Sequence, residues 1–287
     1  MTGLRWDAEG LWLGLKPLLP SLSVEVVAQC PSTNTELLDR ARRQPGRRAD
    51  DFDPCLLVAE QQTLGRGRLG REWKSAAGAS LTFSLSLPLS PRDWSGLSLA
   101  VGLALAEALD QAQDAPPRLW LKWPNDLWLL DAPGRGRKLG GILIETVPLG
   151  RRRLVVVGVG LNVLPERFDG LTSGLACLQE VWPDASAPAA LHRLAAPLVR
   201  ALLAFEREGF APLAERFGRR DLLRGRPVRL HAPGATDPAL DGVADGVGAD
   251  AALCLRQADG TVQRVVSGEV SVRLVPDDEA VGGGRAC

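Results

Sequence analysis

The run Gly65-Arg66-Gly67-Arg68-Leu69-Gly70-Arg71-Glu72-Trp73 constrains this chain more than any other stretch. Three glycines and three arginines in its first seven residues suit neither a helix nor a strand. Glycine opens backbone conformations closed to other residues and lets the main chain approach a ligand. Arginine adds a permanently charged donor fork matched to carboxylate and phosphate oxygens. The apolar run Cys55-Leu56-Leu57-Val58-Ala59 just upstream reads as a buried strand. A strand therefore feeds a loop suited to wrapping something small and anionic. Ordering seven such residues costs on the order of 10 kcal/mol, so the expectation is a flap that is mobile when empty and closes over its ligand.

Two better-known glycine motifs do not account for it. The loop matches G-x-G-x-x-G in form, but Glu60-Gln61-Gln62-Thr63-Leu64 separates it from the strand, and no helical stripe opens at its last glycine. A Walker-type phosphate loop ends in Gly-Lys-Ser/Thr, which is absent here. The strand-like Leu81-Thr82-Phe83-Ser84-Leu85-Ser86-Leu87 follows instead.

Charge and cysteine usage remove several function classes. Lys plus Arg and Asp plus Glu each total 34 in 287 residues, so no global field recruits nucleic acid or an anionic membrane. Five scattered cysteines without a C-x-x-C pair, and only His192 and His231, make a zinc cluster a poor expectation. The N-terminus lacks a basic-then-apolar signal pattern, and the most apolar run, Leu97–Leu109, is short and interrupted by Glu107. A cytoplasmic protein with reduced thiols is expected.

Along the chain, Ser23-Val24-Glu25-Val26-Val27 reads as a strand, and Pro31-Ser32-Thr33-Asn34-Thr35-Glu36 as a helix start capped by a hydroxyl or amide. Residues 41–54 form a charged connection, and 94–112 carry helical apolar spacing. In Leu119-Trp120-Leu121-Lys122-Trp123-Pro124-Asn125-Asp126, proline breaks a strand and leaves a lysine, an amide and a carboxylate near the sheet end. Residues 131–137 look like a hairpin loop leading into the strand Lys138-Leu139-Gly140-Gly141-Ile142-Leu143-Ile144-Glu145. A second glycine-punctuated strand, Arg153 to Val163, contains Gly158, Gly160 and Asn162. Two helices over 188–217 bend near Gly209 and Pro212, with His192 as a packing or surface residue. Beyond Asp221 come short strands separated by Gly, Asp and Pro turns.

Ser32-Thr33-Asn34, Gln62 with Gly65–Trp73, Lys122–Asp126, Lys138–Glu145 and Gly158–Asn162, in that order, resemble the biotin–protein ligases over about residues 23–275. The resemblance implies an α+β fold: a mixed β-sheet catalytic domain with flanking helices, class II synthetase-like, over residues 1–221. A small C-terminal SH3-like β-barrel would occupy 222–276, and 277–287 would be a disordered tail. With only 31 residues before Ser32, a monofunctional ligase without a DNA-binding domain is expected.

The same resemblance implies formation of biotinyl-5′-adenylate from biotin and ATP with Mg²⁺, then transfer of biotin to one lysine of a biotin carboxyl carrier protein, an acetyl-CoA carboxylase subunit. Biotin would be bound by Ser32, Thr33, Asn34, Gln62, Gly65, Arg66, Gly67, Arg68, Lys138, Gly140 and Gly141. ATP and the adenylate would be bound by Arg66, Arg71, Trp73, Asn125, Lys138 and Asn162. Arg68, Lys122, Asp126 and Lys138 would surround the reaction, with Asp126 the candidate to deprotonate the acceptor lysine. Metal ligands stay unassigned, no nucleic-acid or membrane partner is implied, and monomer and homodimer stay open. Lipoate–protein ligase, with related fold and chemistry, is the nearest alternative. A nucleic-acid-binding module is a distant one, disfavoured by zero net charge.

Overall fold

The computed structural model describes residues 4–43, 52–110, 116–132, 135–149, 152–166, 175–231, 240–266 and 271–274. The middle of the expected charged connection, positions 133–134 of the expected hairpin loop and the expected disordered tail lie outside the described residues.

Seven strands build one sheet: β1 Ser23–Cys30, β2 Cys55–Gln62, β3 Ser80–Leu89, β4 Leu119–Lys122, β5 Asp126–Ala132, β6 Arg135–Leu149 and β7 Arg152–Asn162. Their order is β1-β2-β3-β7-β6-β5-β4. Among these seven described strands, β1 and β2 are the one pair that runs parallel. A parallel pair needs a crossover, and the helix α2, Thr33–Arg42, lies in that connection. The remaining neighbours are antiparallel.

The alternation of β3 explains how both faces of the sheet are used. Leu81, Phe83, Leu85, Leu87 and Leu89 enter the main core with α1 (Ala8–Leu15), α3 (Leu97–Leu109) and α4 (Ala187–Glu208). Ser80, Thr82, Ser84 and Ser86 point to the opposite face and are buried too. There α2 covers the sheet through Leu37 and Leu38, packed in a smaller cluster with Leu57 and Val156. A strand buried on both faces thus carries a row of hydroxyls beneath the start of α2. As expected, α4 stops before Gly209, which takes a positive φ of 69°, and a short turn over 211–213 leads into α5, Ala214–Gly218.

The far edge of the sheet is tied down by a buried ion pair. Arg220 Nη1 donates to Asp110 Oδ2 at 2.7 Å and to the Leu119 carbonyl at 2.9 Å. Asp110 also accepts from the backbone N–H groups of Arg118 and Leu119.

The C-terminal strands correct the expectation of an SH3-like barrel. β8 Pro227–His231, β9 Leu240–Val247, β10 Leu253–Arg256, β11 Val262–Val265 and β12 Ser271–Leu274 form an open antiparallel sheet in the order β11-β10-β9-β8-β12. Among the described residues β11 and β12 are its two edges and do not pair with each other. Closure is one way to bury an apolar face, and here the rest of the chain does that job. Val228, Leu230, Ala244, Leu253 and Leu255 belong to the same continuous core as α3 and α4. No described helix is long and apolar enough to cross a membrane.

Candidate active site

The polar floor of the site is assembled where α2 begins. Ser32 caps the helix, its Oγ accepting from the Thr35 N–H at 3.4 Å, and Ser32, Thr33 and Asn34 are all buried. Gln62, at the end of β2, accepts through Oε1 from the Thr33 N–H at 2.7 Å. Ser84 from the hydroxyl row sits 2.6 Å from both Thr33 Oγ1 and Asn34 Oδ1. The Asn34 amide donates to the Leu143 carbonyl at 3.1 Å and to Glu145 Oε2 at 3.0 Å, so both its hydrogens are spent within the protein. Gly158 makes this packing possible, because a Cβ there would stand 2.3 Å from Asn34 Oδ1.

Above the floor, the arginine loop folds back on itself as a small hairpin. The Trp73 N–H donates to the Gly65 carbonyl and the Gly67 N–H to the Arg71 carbonyl, with a one-turn 3-10 segment over Arg68–Gly70 at the tip. Gly65 is needed for the close approach, since a Cβ would meet the Trp73 carbonyl oxygen at 2.3 Å. Trp73 in turn packs against β7 where Gly160 leaves space. Arg66 forms an ion pair with Glu145 on β6. Arg68 Nη1 donates to Asn125 Oδ1 at 3.3 Å.

The third wall is the turn between β4 and β5. Trp123 is fully buried, and its Nε1 donates to the Ala251 carbonyl at 3.1 Å, which fixes the turn against the C-terminal sheet. Asn125 Nδ2 donates to the Ile142 carbonyl at 2.9 Å. Across the β5–β6 ladder, Lys138 Nζ donates to Asp126 Oδ1 at 2.7 Å. Gly141 leaves room for that pair, both of whose reacting atoms lie within 3.4 Å of where a Cβ would be. Lys122 lies over the Trp128 ring, 4.8 Å from its centroid. Burial lowers the Lys122 pKa below the usual lysine value, and the charges of Lys138, Arg71 and Arg273 lower it further while Asp126 opposes them. Burial likewise lowers the pKa of Arg68.

These elements enclose a cavity of about 170 Å³. Among the described residues, Arg66, Arg68, Arg71, Lys122 and Lys138 line it, against Glu72 and Asp126 of opposite sign. An open groove of about 550 Å³ adjoins it, sharing Arg68, Pro124, Asn125 and Ile142, and passes the start of α3 toward Asp250 and Val266. Most of the site residues expected from sequence meet at the cavity: Ser32, Thr33, Asn34, Gln62, Arg66, Gly67, Arg68, Arg71, Trp73, Lys122, Asn125, Asp126, Lys138 and Gly141. Three stand behind its wall. Gly65 closes the hairpin, and Gly140 allows β6 to approach Leu161 on β7. Asn162 is buried and holds the neighbouring segment by donating to the Ala176 carbonyl at 3.1 Å.

Comparison with known proteins agrees with this geometry. Residues 27–162 match the biotin/lipoate A/B protein ligase family. The chain is 37% identical to the bifunctional ligase/repressor BirA of Escherichia coli, over 91% of this chain and 78% of that protein. It is also 37% identical to the biotin--[acetyl-CoA-carboxylase] ligase of Mycobacterium tuberculosis, over 83% of this chain and 85% of that one. The chain belongs to the biotin/lipoate A/B protein ligase family. Among solved structures, the biotin protein ligase from Aquifex aeolicus in complex with biotin and ATP superposes with a TM-score of 0.68 at 26% identity, covering 89% of this chain and 99% of that one.

In this ligase several participants had no assigned role in the sequence reading. Ser84 joins Thr33 to Asn34, and the alternating hydroxyls of β3 were its signal, since polar residues recurring along an apolar strand need buried partners. Gly158 and Gly160 are explained by the two side chains pressed onto them. Val272 of β12 reaches the ligase cavity from the second sheet, and no local pattern announces it.

Proposed function

We propose that this chain is a biotin–protein ligase that acts in two steps in one cavity. The biotin carboxylate attacks the α-phosphorus of Mg–ATP, the bond to the leaving phosphate oxygen breaks, and biotinyl-5′-AMP and pyrophosphate form. The amine of a carrier-protein lysine then attacks the acyl carbon, the bond to AMP breaks, and an amide joins biotin to the carrier. The carrier is the biotin-accepting protein of a carboxylase, as for the acetyl-CoA-carboxylase ligase relative. The observation that carries this reading is the concentration of Arg66, Arg68, Arg71, Lys122 and Lys138 around a single small cavity with a buried polar floor.

The first step drives two anions together. Cations already held in place offset that repulsion and stabilise charge as it gathers in the transition state, without reorganising at the moment of reaction. Lys138 and Arg68 are the groups proposed to meet the reacting oxygens, and Trp73 and Asn125 those proposed to border the nucleotide. Gln62 and Ser32, which line the cavity, are proposed to hydrogen-bond the uncharged ring of the vitamin. Asp126, held by Lys138, is the group proposed to take the proton of the incoming amine. The adjoining groove is the proposed route for the carrier's lysine. Among the described residues, no three His, Cys, Asp or Glu side chains gather to hold a metal. Magnesium commonly rides on substrate phosphates and keeps its waters, so it enters with ATP as substrate.

The cysteines described are free thiols, which favours a reducing compartment such as the cytoplasm. The chain is proposed to divide near Asp221 into a catalytic domain and a smaller C-terminal one. Biotin-dependent exchange of pyrophosphate into ATP, with lipoate as the control acid, tests the function. Exchange with biotin and not lipoate is expected; exchange with lipoate alone, or with neither, would overturn the reading.

A further inference from the structure

Glu145 does not line the cavity, yet it meets both the floor and the loop. Its Oε1 accepts from Arg66 Nη2, and its Oε2 accepts from Asn34 Nδ2 at 3.0 Å. Arg66 and Asn34 do line the cavity, one from the arginine loop and the other from the floor.

The hydrogen bonds of the floor have a single consistent direction, and it ends at this carboxylate. The Asn34 Nδ2 group faces two oxygens, so the amide orientation is settled and Oδ1 must accept. Ser84 has one hydroxyl proton for two oxygens at 2.6 Å; Asn34 Oδ1 can only accept, so Ser84 donates to it, and the Thr33 hydroxyl, which also stands 3.1 Å from Gln62 Oε1, is left to donate across the Thr33–Ser84 contact. Gln62 Oε1 remains fixed by the Thr33 N–H. Thr33, Ser84 and Asn34 form one chain of donors that ends on the Glu145 carboxylate, and the guanidinium of Arg66 donates to it from the other side. Only an acceptor with two oxygens can serve both ends of this arrangement.

We propose that Glu145 is a positioning residue that couples the cavity floor to the arginine loop, so that a substrate seated on Thr33 and Gln62 also sets Arg66 in place above it. This rests on the biotin–protein ligase reading. Glutamine at 145 is nearly isosteric, but it offers one oxygen and one amino group. Whichever way it turns, an N–H faces either Asn34 Nδ2 or Arg66 Nη2, donor against donor, and one arm of the coupling is lost.

The test is a comparison of wild type, Glu145→Gln, Arg66→Gln and the double variant in biotin-dependent ATP–pyrophosphate exchange. Cleavage of the 65–71 loop by trypsin is followed alongside, as a readout independent of turnover. Each single variant is expected to raise the KM for biotin about 10-fold or more, the size expected for losing one hydrogen bond to a charged group; Glu145→Gln should change kcat less than threefold, whereas Arg66→Gln, which also removes a cavity cation, should lower kcat as well. The double variant is expected to be no worse than the poorer single one. Loop cleavage in the biotin-bound state should be faster in Glu145→Gln than in wild type. Equal KM and cleavage in Glu145→Gln and wild type, or single effects that multiply in the double variant, would overturn the coupling. If Glu145→Gln does not fold, Glu145→Asp, too short to reach both partners, takes its place with the same criteria. A wild-type protein inactive in exchange would instead overturn the function on which the coupling rests.

Discussion

Replacing Lys138 separates two ways in which a site lysine can matter. Its Nζ lies 2.7 Å from Asp126 Oδ1, and the two side chains are 31% and 21% exposed. Lys138→Met thus removes a cation from the cavity and also strips Asp126 of its ion-pair partner. A hydrogen bond to a charged group is worth about 1.5–3 kcal/mol. Since about 1.4 kcal/mol is tenfold in rate, Lys138→Met is expected to slow biotinyl-AMP formation by about 10- to 150-fold. Asp126→Asn keeps an acceptor for Lys138 and removes the negative charge. If Lys138 works on the reacting oxygens, the double variant Lys138→Met/Asp126→Asn stays as slow as Lys138→Met alone. If Lys138 merely neutralises Asp126, removing that charge too restores the double variant to the rate of Asp126→Asn. Single-turnover formation of the adenylate, measured before any carrier is added, reads the step directly. A Lys138→Met enzyme within twofold of wild type would refute the reasoning, and recovery in the double variant would refute direct action.

Three further outcomes follow from the same geometry. Burial raises the Asp221 carboxyl to about 6, and its Oδ2 is buried without a partner. The folded protein thus keeps a proton that the unfolded chain loses near pH 4, so stability falls as pH rises from about 4 to about 6, by about 3 kcal/mol in all. Asp221→Asn, which keeps an acceptor for the Leu223 N–H, should raise the urea midpoint at pH 8 and leave it little changed at pH 4; equal shifts at both would contradict this. Arg220→Met leaves Asp110 charged and buried, and should cost about 3–5 kcal/mol in chemical denaturation; a loss below about 1 kcal/mol would show that the pair does not anchor the sheet edge. Proteases should cut the wild-type chain within 65–71 when empty, and biotin with ATP should protect it; identical cleavage rates would remove the idea of a closing loop.

The parts of the site that were readable in the sequence are those whose chemistry is local. Gly65 to Trp73 announced itself by composition, and the hairpin rungs at Gly65–Trp73 and Gly67–Arg71 show why those glycines stand there. The break at Pro124 and the cap at Ser32 are single-residue signals with backbone causes. What was hidden depends on which distant segments meet. Glu145 stands 111 residues from Asn34 and 79 from Arg66, and no spacing rule connects them. The openness of the C-terminal sheet was hidden for a related reason. Short strands with turn residues are compatible with a barrel or with an open sheet, and the choice is made by what covers the apolar face. Here that cover comes from α3 and α4, elements that end at Leu109 and Glu208, well before β8 begins at Pro227.

A net charge of zero coexists with a cationic cavity because the acids are engaged elsewhere. Arg137 holds Asp131 and Glu180, Arg216 holds Glu107, and on the second sheet Arg229, Arg256 and Arg264 hold Asp241, Asp245 and Asp250. Such exposed and partly exposed pairs contribute little stability, and salt screens them beyond roughly 8 Å. Their consequence for the site is where they keep the carboxylates. With those acids occupied at the surface, Lys122 and Arg68 are left in an environment where burial works against their charge. An anionic ligand entering the cavity would add to the counter-charge that Asp126 already supplies to these two groups. The attraction is therefore local to the cavity, and a neutral chain can gather two anions in it without attracting anionic surfaces at large.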